Sequence, residues 1–567
     1  MIYFNPQDEK CKFPFGAIKV NETVTFNIEC NGFSQGFIYL NGDRKELEVT
    51  KTGFSCSVSF DEGVLIFYYF MLVTENGIKV YIENTENKFS TTKPESFFQL
   101  TVYETDGAPK WFREGIAYQI FPDRFAIGEK INRTKNDVYI YENWDMTPTY
   151  IRNEKNEIAT WDYFGGNLKG IIEKLDYIKS LNASIIYLNP IFEANSNHRY
   201  STADYSKIDS MLGTEEDFKT LIDEADKRGI KIILDGVFSH VGADSIYFNK
   251  FRRYGDGGAY NDRNSPYFPW FKFEEYPHKY SSWWGVYDLP DVDELNESYI
   301  DYILTGENSI VKKWTKMGIG GWRLDVADEL PDEFLEILYR TVKEINPDAV
   351  VLGEVWEDAS NKIAYNKQRT YFTRRELDCV MNYPFRDNLI AFFKGEVNSF
   401  DIKKAFDSLM ENYPHNSFYG SFNSLGTHDV ARIYSVAKQI NNENAEALLE
   451  TLVNLQFAFP GTPCIYYGDE AGLTGDTDPD NRRTYPWGKE NHDIMNIYKN
   501  ASDMRHSSKL LKNGKTEFLA PHKDIFGIKR YNESKCFVIL ANRTNADITV
   551  NFNDKEINIA GFGFAVL

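Results

Sequence analysis

From Gly115 onward the chain repeats one alternation, a short apolar run followed by a stretch of helical periodicity. The runs read GIAYQIF, SIIYLNP, IKIILD, GGWRLD, AVVLGE, LDCVMNY, FNSLGT and PCIYYGD. Short runs without a polar face suit strands buried on both sides, as in parallel sheets covered by helices. Eight of them in succession predict an α/β fold, a (β/α)8 TIM barrel. Two intervening segments show the helical half of the pattern. In LKGIIEKLDYIKSL the residues Leu168, Ile171, Ile172, Leu175, Ile178 and Leu181 share one face. In TEEDFKTLIDEADKRG, Thr214 is placed to cap the N-terminus and Gly229 to end the helix.

The barrel is expected over residues 109–504, between two β domains. In residues 1–108 the segments AIKVNETVTFNIE, GFIYLNGD and FSCSVSF alternate apolar with polar residues between Gly and Asn turns. This predicts an N-terminal β-sandwich of about seven strands. Residues 505–567, with FGIKRYN, CFVILANR, ITVNFN and GFGFAVL, predict a C-terminal β-sandwich. Two connections are long: 122–166 after strand one and 241–305, an inserted excursion after strand three. Long excursions in a compact domain usually serve function.

Composition narrows the partners. With 84 acidic against 63 basic residues the net charge is −21, a field that repels nucleic acids and anionic membranes. Cys11, Cys30, Cys56, Cys379, Cys464 and Cys536 are scattered without a C-x-x-C pair. Reduced thiols are the expectation, with Cys30 and Cys56 left as a candidate pair. The start, MIYFNPQDEKCKF, shows no signal-peptide pattern, and the apolar run Val64–Val73 is too short to span a bilayer. A cytoplasmic location is expected.

Barrel active sites gather at the C-terminal ends of the strands, and there the polar residues cluster. Strand two leads into His198 and Tyr200. Strand three ends with Asp235 and His240, strand four with Arg323 and Asp325, strand five with Glu354 and Trp356, and strand seven with His428 and Asp429. One such residue is ordinarily a cap or a surface charge. Several on one barrel mouth are costly to bury without a purpose.

Paired carboxylates are what glycoside cleavage requires, one ionised to attack the anomeric carbon and one protonated to release the leaving oxygen. Neighbouring strands four and five supply Asp325 and Glu354. Arg323, two residues before Asp325, points to the same side and is expected to keep Asp325 ionised. Glu354, facing other carboxylates, is expected to have a raised pKa and act as the acid.

As an ordered set, DGVFSH, GWRLDVADE, GEVW and GTHD resemble the four short motifs of the α-amylase superfamily, glycoside hydrolase family 13. The likeness extends through YQIFPDRF, FGGNLKGIIEKLDYI, NHRYSTADY and PGTPCIYYGDEAG. These stretches are most similar to the neopullulanase, cyclomaltodextrinase and maltogenic amylase branch, which also carries an N-terminal β domain.

The resemblance implies Asp325 as nucleophile, Glu354 as acid/base and Asp429 as the third carboxylate, gripping sugar hydroxyls. It implies that His198, His240 and His428 hydrogen-bond the same glucose, that Tyr200 stacks on it, and that Asp235 supports the site. In DPDNRR, Asp478 and Arg482 resemble the pair that closes the non-reducing end of the cleft. Trp356, with Trp283 or Trp284, is expected beneath the leaving-group sugars, and Glu329 matches a position associated with transglycosylation. No cofactor is required. Calcium is the one metal the family suggests, but its usual ligands are degraded: Ser239 stands where Asn is usual, the loop reads AIGEKIN, and Asn167 closes it. LPDVDELN also departs from the MPKLN usual in this branch.

The leading reading is a retaining hydrolase of α-1,4 bonds in malto-oligosaccharides, cyclodextrins or pullulan. Alternatives are an α-1,6-acting or glucosyl-transferring relative, and a non-enzymatic carbohydrate-binding protein. The N-terminal domain has two readings, polysaccharide binding or packing against a second subunit as a homodimer. The dimer is preferred.

Overall fold

Each apolar run contributes one strand of a parallel eight-stranded sheet: β1 (Ala117–Ile120), β2 (Ile185–Leu188), β3 (Lys231–Gly236), β4 (Gly321–Leu324), β5 (Val350–Gly353), β6 (Cys379–Val380), β7 (Phe422–Ser424) and β8 (Thr462–Tyr466). The order is β6-β5-β4-β3-β2-β1-β8-β7, and a parallel bridge between Met381 and Phe422 links its two edges, so the barrel closes. Side chains alternate in direction along a strand. Ala117, Ile185, Ile233, Val350 and Cys464 therefore fill the floor of the barrel as a dry core. One pleat higher, the interior carries Gln119, Tyr187, Asp235 and Arg323, all essentially without solvent exposure. Asp235 and Arg323 are register partners on β3 and β4.

The computed structural model describes residues 2–84, 89–129, 135, 138–154 and 158–567. Two compact units result. One comprises Ala108–Glu357, Cys379–Lys403 and Tyr419–Leu567; the other comprises Met1–Gly107 together with Asp358–Asp378 and Lys404–Phe418. In the barrel unit, Thr214 caps helix Glu215–Lys227 with a reciprocal capping box, and Gly229 ends it at φ +69°. The helix expected across LKGIIEKLDYIKSL is divided into Leu168–Glu173 and Leu175–Ser180. At the junction the Lys174 N–H is shared between Ile171 O and Ile172 O. Tight packing accompanies the break: a Cβ on Gly170 would lie 2.1 Å from Ala126 O.

The long excursions hold little regular structure. The first carries strands Val138–Ile140, Ile151–Arg152 and Ile158–Tyr163; the second carries the hairpin Phe273–Glu275 with Lys279–Tyr280 and single helical turns. The boundary expected at 505 falls inside helix His492–Ser507, which a further helix, Lys509–Asn513, follows. The first C-terminal strand starts at Lys515. Arg505, fully buried, ties these helices together: its guanidinium donates to the Phe457 carbonyl at the end of helix Ala445–Ala458, to Gly461 O just beyond it and to Leu511 O in the following helix. A guanidinium there meets the negative end of the helix dipole. Beyond it, four antiparallel strands (Lys515–His522, Ile525–Tyr531, Cys536–Asn542, Phe564–Val566) and the hairpin Ile548–Phe552 with Lys555–Ile559 enclose a small apolar core.

The other unit is a sandwich of a five-stranded and a seven-stranded sheet over an aromatic core of Phe4, Phe26, Tyr68, Phe70 and Phe98. Cys30 and Cys56 do not pair. Their strands align Phe26 with Cys56 and Glu29 with Gly53, so the two thiols stand about four residues, or ~13 Å, apart along the ladder. Both are free. Among the described residues no helix is long and apolar enough to cross a membrane.

Candidate active site

Arg323 is the hub of the barrel mouth. Its position on β4 turns it inward, and it has no solvent exposure. Nη1 donates to Asp235 Oδ1 (2.8 Å) and Asp325 Oδ1 (2.7 Å), and Nη2 stands 2.9 Å from Glu354 Oε1. One guanidinium thus holds the carboxylates of three adjacent strand ends within its own reach. The other face of Asp235 accepts hydrogen bonds from Tyr187 (2.6 Å) and Tyr200 (2.9 Å). Glu354 Oε2 accepts the Val326 N–H at 2.8 Å.

Backbone and side-chain partners set the tautomers of two of the three histidines, His198 and His428. Gln119 Nε2 lies 3.0 Å from His428 Nδ1, so that nitrogen accepts and Nε2 carries the proton, facing Tyr200 Oη (2.6 Å) and Asp429 Oδ2 (3.1 Å). His198 Nδ1 accepts the Tyr200 N–H at 3.0 Å, which leaves its Nε2 protonated. His240 Nδ1 pairs with Ser239 Oγ at 3.0 Å, and its buried Nε2 has no protein partner among the described residues. Burial holds His198 and His428 well below the ordinary histidine range, with Arg482 adding to it, and burial brings His240 down to about 4. At neutral pH all three are uncharged donors suited to hydroxyl groups.

The carboxylates respond to the same burial. Asp325 is raised well above its ordinary value, because desolvation and the charges of Glu354 and Asp235 outweigh the attraction of Arg323. Arg323 pulls in the expected direction, toward an ionised Asp325, but desolvation outweighs it. Asp429 is pushed up to about 7 by desolvation, with Glu354 adding to it and Arg482 opposing.

All twelve sequence-predicted positions except Asp235 and Arg323 line one cleft of about 530 Å³, and those two lie directly beneath it. At one end Arg482 Nη1 pairs with Asp478 Oδ1 at 3.1 Å, and Tyr150 Oη donates to Asp478 at 2.7 Å. At the other, the Trp356 ring stacks on Tyr383 (3.8 Å, 8°) and remains 41% exposed, which leaves one face for a ligand. Of the two tryptophans left open, Trp283 lines the cleft, 5.6 Å from the His240 ring. Trp284 points out, 80% exposed, and donates from Nε1 to Glu329 Oε1 at 2.6 Å.

Sequence reasoning missed Gln119, Tyr187 and Tyr150. The first two were visible as polar groups at inward positions of apolar runs. Tyr150 lies in an irregular excursion that offers no such period.

At the positions of the family's usual calcium ligands, the Asn167 and Ser239 side chains are engaged within the protein. The Asn167 side chain accepts from Gly170 N (2.9 Å) and Gly128 N (3.2 Å) as a helix cap, and its amide donates to Glu129 O at 3.3 Å. A donor stands where a cation would gather carbonyl oxygens. Ser239 is engaged with His240. Residues 130–132 of the loop lie outside the described residues.

Residues 119–516 match the model of the alpha amylase catalytic domain. Over 97% of this chain and 49% of its own length, an amylopullulanase from Thermoanaerobacterium saccharolyticum is 35% identical. The chain spans about a third to a half of the three amylopullulanases it matches. A cyclomaltodextrinase from Thermoanaerobacter pseudethanolicus is 32% identical over 86% of this chain and 81% of that protein. Among solved structures, the type III pullulan hydrolase from Thermococcus kodakarensis superposes with a TM-score of 0.72 at 25% identity, covering 100% of both chains. The cyclic alpha-maltosyl-(1→6)-maltose hydrolase from Arthrobacter globiformis gives 0.69 at 30% identity, covering 81% of this chain and 99% of the other.

Proposed function

Because the chain belongs to the α-amylase catalytic-domain family of glycoside hydrolases, we propose that it cleaves α-1,4-glucosidic bonds with retention, in malto-oligosaccharides, cyclodextrins or pullulan. The observation that carries this reading is the bridge from Arg323 to Asp235, Asp325 and Glu354. Asp325 attacks the anomeric carbon as Glu354 protonates the departing oxygen; the bond to the leaving sugar breaks and a glucosyl ester forms on Asp325. Glu354, now a carboxylate, takes a proton from water, which attacks the ester and frees Asp325. Asp429 and His428 hold hydroxyls of the ring undergoing attack. Tyr200, fixed by Asp235, packs against that ring. Asp478 and Arg482 close one end of the cleft, and Trp356 carries the leaving sugars. A sugar acceptor in place of water gives transglycosylation.

No cofactor enters these steps. The N-terminal sandwich, with exposed Phe67 and Phe97, is proposed to pair with a second copy; a monomer by light scattering at micromolar concentration would refute that. The scattered cysteines, five of them buried, support a reducing, cytoplasmic setting.

Chromatography of the products from pullulan tests the reading. Panose supports α-1,4 cleavage beside α-1,6 links. Maltotriose would replace it with α-1,6 cleavage, a second reading favoured by the likeness to amylopullulanases. Failure to cut both pullulan and malto-oligosaccharides would overturn it.

A further inference from the structure

Four side chains from three barrel-strand ends form a closed circuit of hydrogen bonds. Gln119 belongs to β1, Asn189 directly follows β2, Tyr200 lies in the segment beyond it, and His428 follows β7. Gln119 Nε2 reaches His428 Nδ1 at 3.0 Å and Asn189 Oδ1 at 3.1 Å. Asn189 Nδ2 donates to Tyr200 Oη at 2.9 Å, and His428 Nε2 stands 2.6 Å from the same oxygen. Gln119, Asn189 and His428 are each at most 1% exposed, so they depend on the circuit for their hydrogen bonds.

The direction of every bond follows from one proton. Tyr200 has a single hydroxyl proton and three polar neighbours, Asp235 Oδ2, Asn189 and His428. Asp235 takes that proton, because Arg323 holds its other oxygen at 2.8 Å and a carboxylate only accepts. Asn189 and His428 must then donate to Tyr200. Asn189 turns its amide nitrogen toward the hydroxyl, and His428 keeps its proton on Nε2. The two acceptors left over, Asn189 Oδ1 and His428 Nδ1, both face Gln119, whose amide nitrogen carries two protons and serves each.

Gln119 gives up its own acceptor to do this. Its carbonyl oxygen is buried without a partner among the described residues. An unpaired buried acceptor is costly, which marks the glutamine as present for its two donors. The opposite direction of the circuit would turn a bare Nε2 toward Asp429 Oδ2, 3.1 Å away, and set two acceptors against each other.

We propose that Gln119 and Asn189 are positioning residues that lock His428 as its Nε2–H tautomer, so that a donor faces Asp429 and the sugar bound beside it. Neither residue lines the cleft, so both act through His428 and Tyr200. A donor fixed in advance needs no reorientation as the bound sugar distorts. The proposal rests on the α-glucan hydrolase reading above and adds to it the residues that orient one of its donors.

Long-range nitrogen–proton correlation spectra of the histidine-labelled wild type test the lock without an assay of activity. The His428 signals, assigned by their loss in His428→Gln, should show Nδ1 unprotonated and Nε2 protonated at neutral pH. A protonated Nδ1, or exchange between the two tautomers, would overturn the proposal. Kinetics on maltopentaose then read the circuit. Gln119→Met and Asn189→Leu nearly keep the volume and remove the hydrogen bonds. Each should lower kcat about tenfold, the equivalent of one good hydrogen bond, with KM within about twofold. Either change opens the same circuit, so the double variant should fall no more than about twofold below the lower single. A roughly hundredfold fall in the double variant would mean two independent contacts and would overturn the circuit. Unchanged kcat in either single variant, or a loss carried by KM, would overturn it as well. Should a variant fail to fold, the wild-type spectrum decides alone. If the wild type cuts no α-glucan, the hydrolase reading fails, while the spectrum still decides the tautomer.

Discussion

The backbone N–H of Val326 donates to Glu354 Oε2 at 2.8 Å from a residue held at φ +38°. A β-branched side chain resists that conformation. The turn leaving β4 is therefore strained at the residue after Asp325, and the strain aims an amide at the carboxylate of the next strand. Strain of this kind persists where surrounding structure fixes it, often at functional sites.

Replacing Val326 with Asn, which tolerates positive φ, should relieve roughly 1 kcal/mol. The melting temperature should rise by a degree or two, with kcat kept within about threefold because the N–H remains. Calorimetry reads the first and steady-state kinetics the second; a clear fall in melting temperature would remove the argument for stored strain.

Asp325→Asn and Glu354→Gln should each lower kcat on maltopentaose at least ~1,000-fold, equivalent to about 4 kcal/mol of transition-state stabilisation. Their responses to the leaving group should differ. An aryl glucoside whose phenol departs unprotonated should restore the first step in Glu354→Gln and not in Asp325→Asn. Equal behaviour on that substrate would contradict the division of roles.

Arg482 opposes the rise of Asp429, whose carboxyl stands at about 7. Removing the guanidinium in Arg482→Met should raise that value further. A carboxylate that grips hydroxyls must be ionised, so the acid limb of kcat/KM should move to higher pH. A loss of activity at every pH without movement of the limb would show that Arg482 acts on substrate alone.

Stability should carry the signature of Glu470. This carboxyl is fully buried, accepts from Tyr118 (2.6 Å) and Tyr177 (2.9 Å), and is pushed up to about 7 by desolvation. A raised carboxyl favours the folded state below its unfolded value, and that contribution is lost as pH rises through the folded value. Between pH 4.5 and 7 the loss should come to roughly 3 kcal/mol. Glu470→Gln keeps an acceptor for the tyrosines and should flatten the decline in denaturant midpoint over that window. An unchanged slope would place the titration elsewhere.

The barrel was legible because its strands are continuous apolar runs and its helices carry one apolar face, both local properties of the chain. The cluster was legible for a related reason. Asp235, Arg323, Asp325, Glu354, His428 and Asp429 sit at strand ends, and a barrel brings all strand ends to one mouth whatever their separation in sequence. What composition and spacing could not decide was electrostatic. From the sequence, Arg323 two residues before Asp325 was enough to expect an ionised aspartate. Only packing reveals that three carboxylates crowd the same guanidinium away from water and that desolvation prevails. The break at Lys174, the helices across residue 505 and the separation of Cys30 from Cys56 likewise depend on close approach and register. Periodicity fixes which face of an element is buried, whereas contacts between distant segments exist only once the chain has folded.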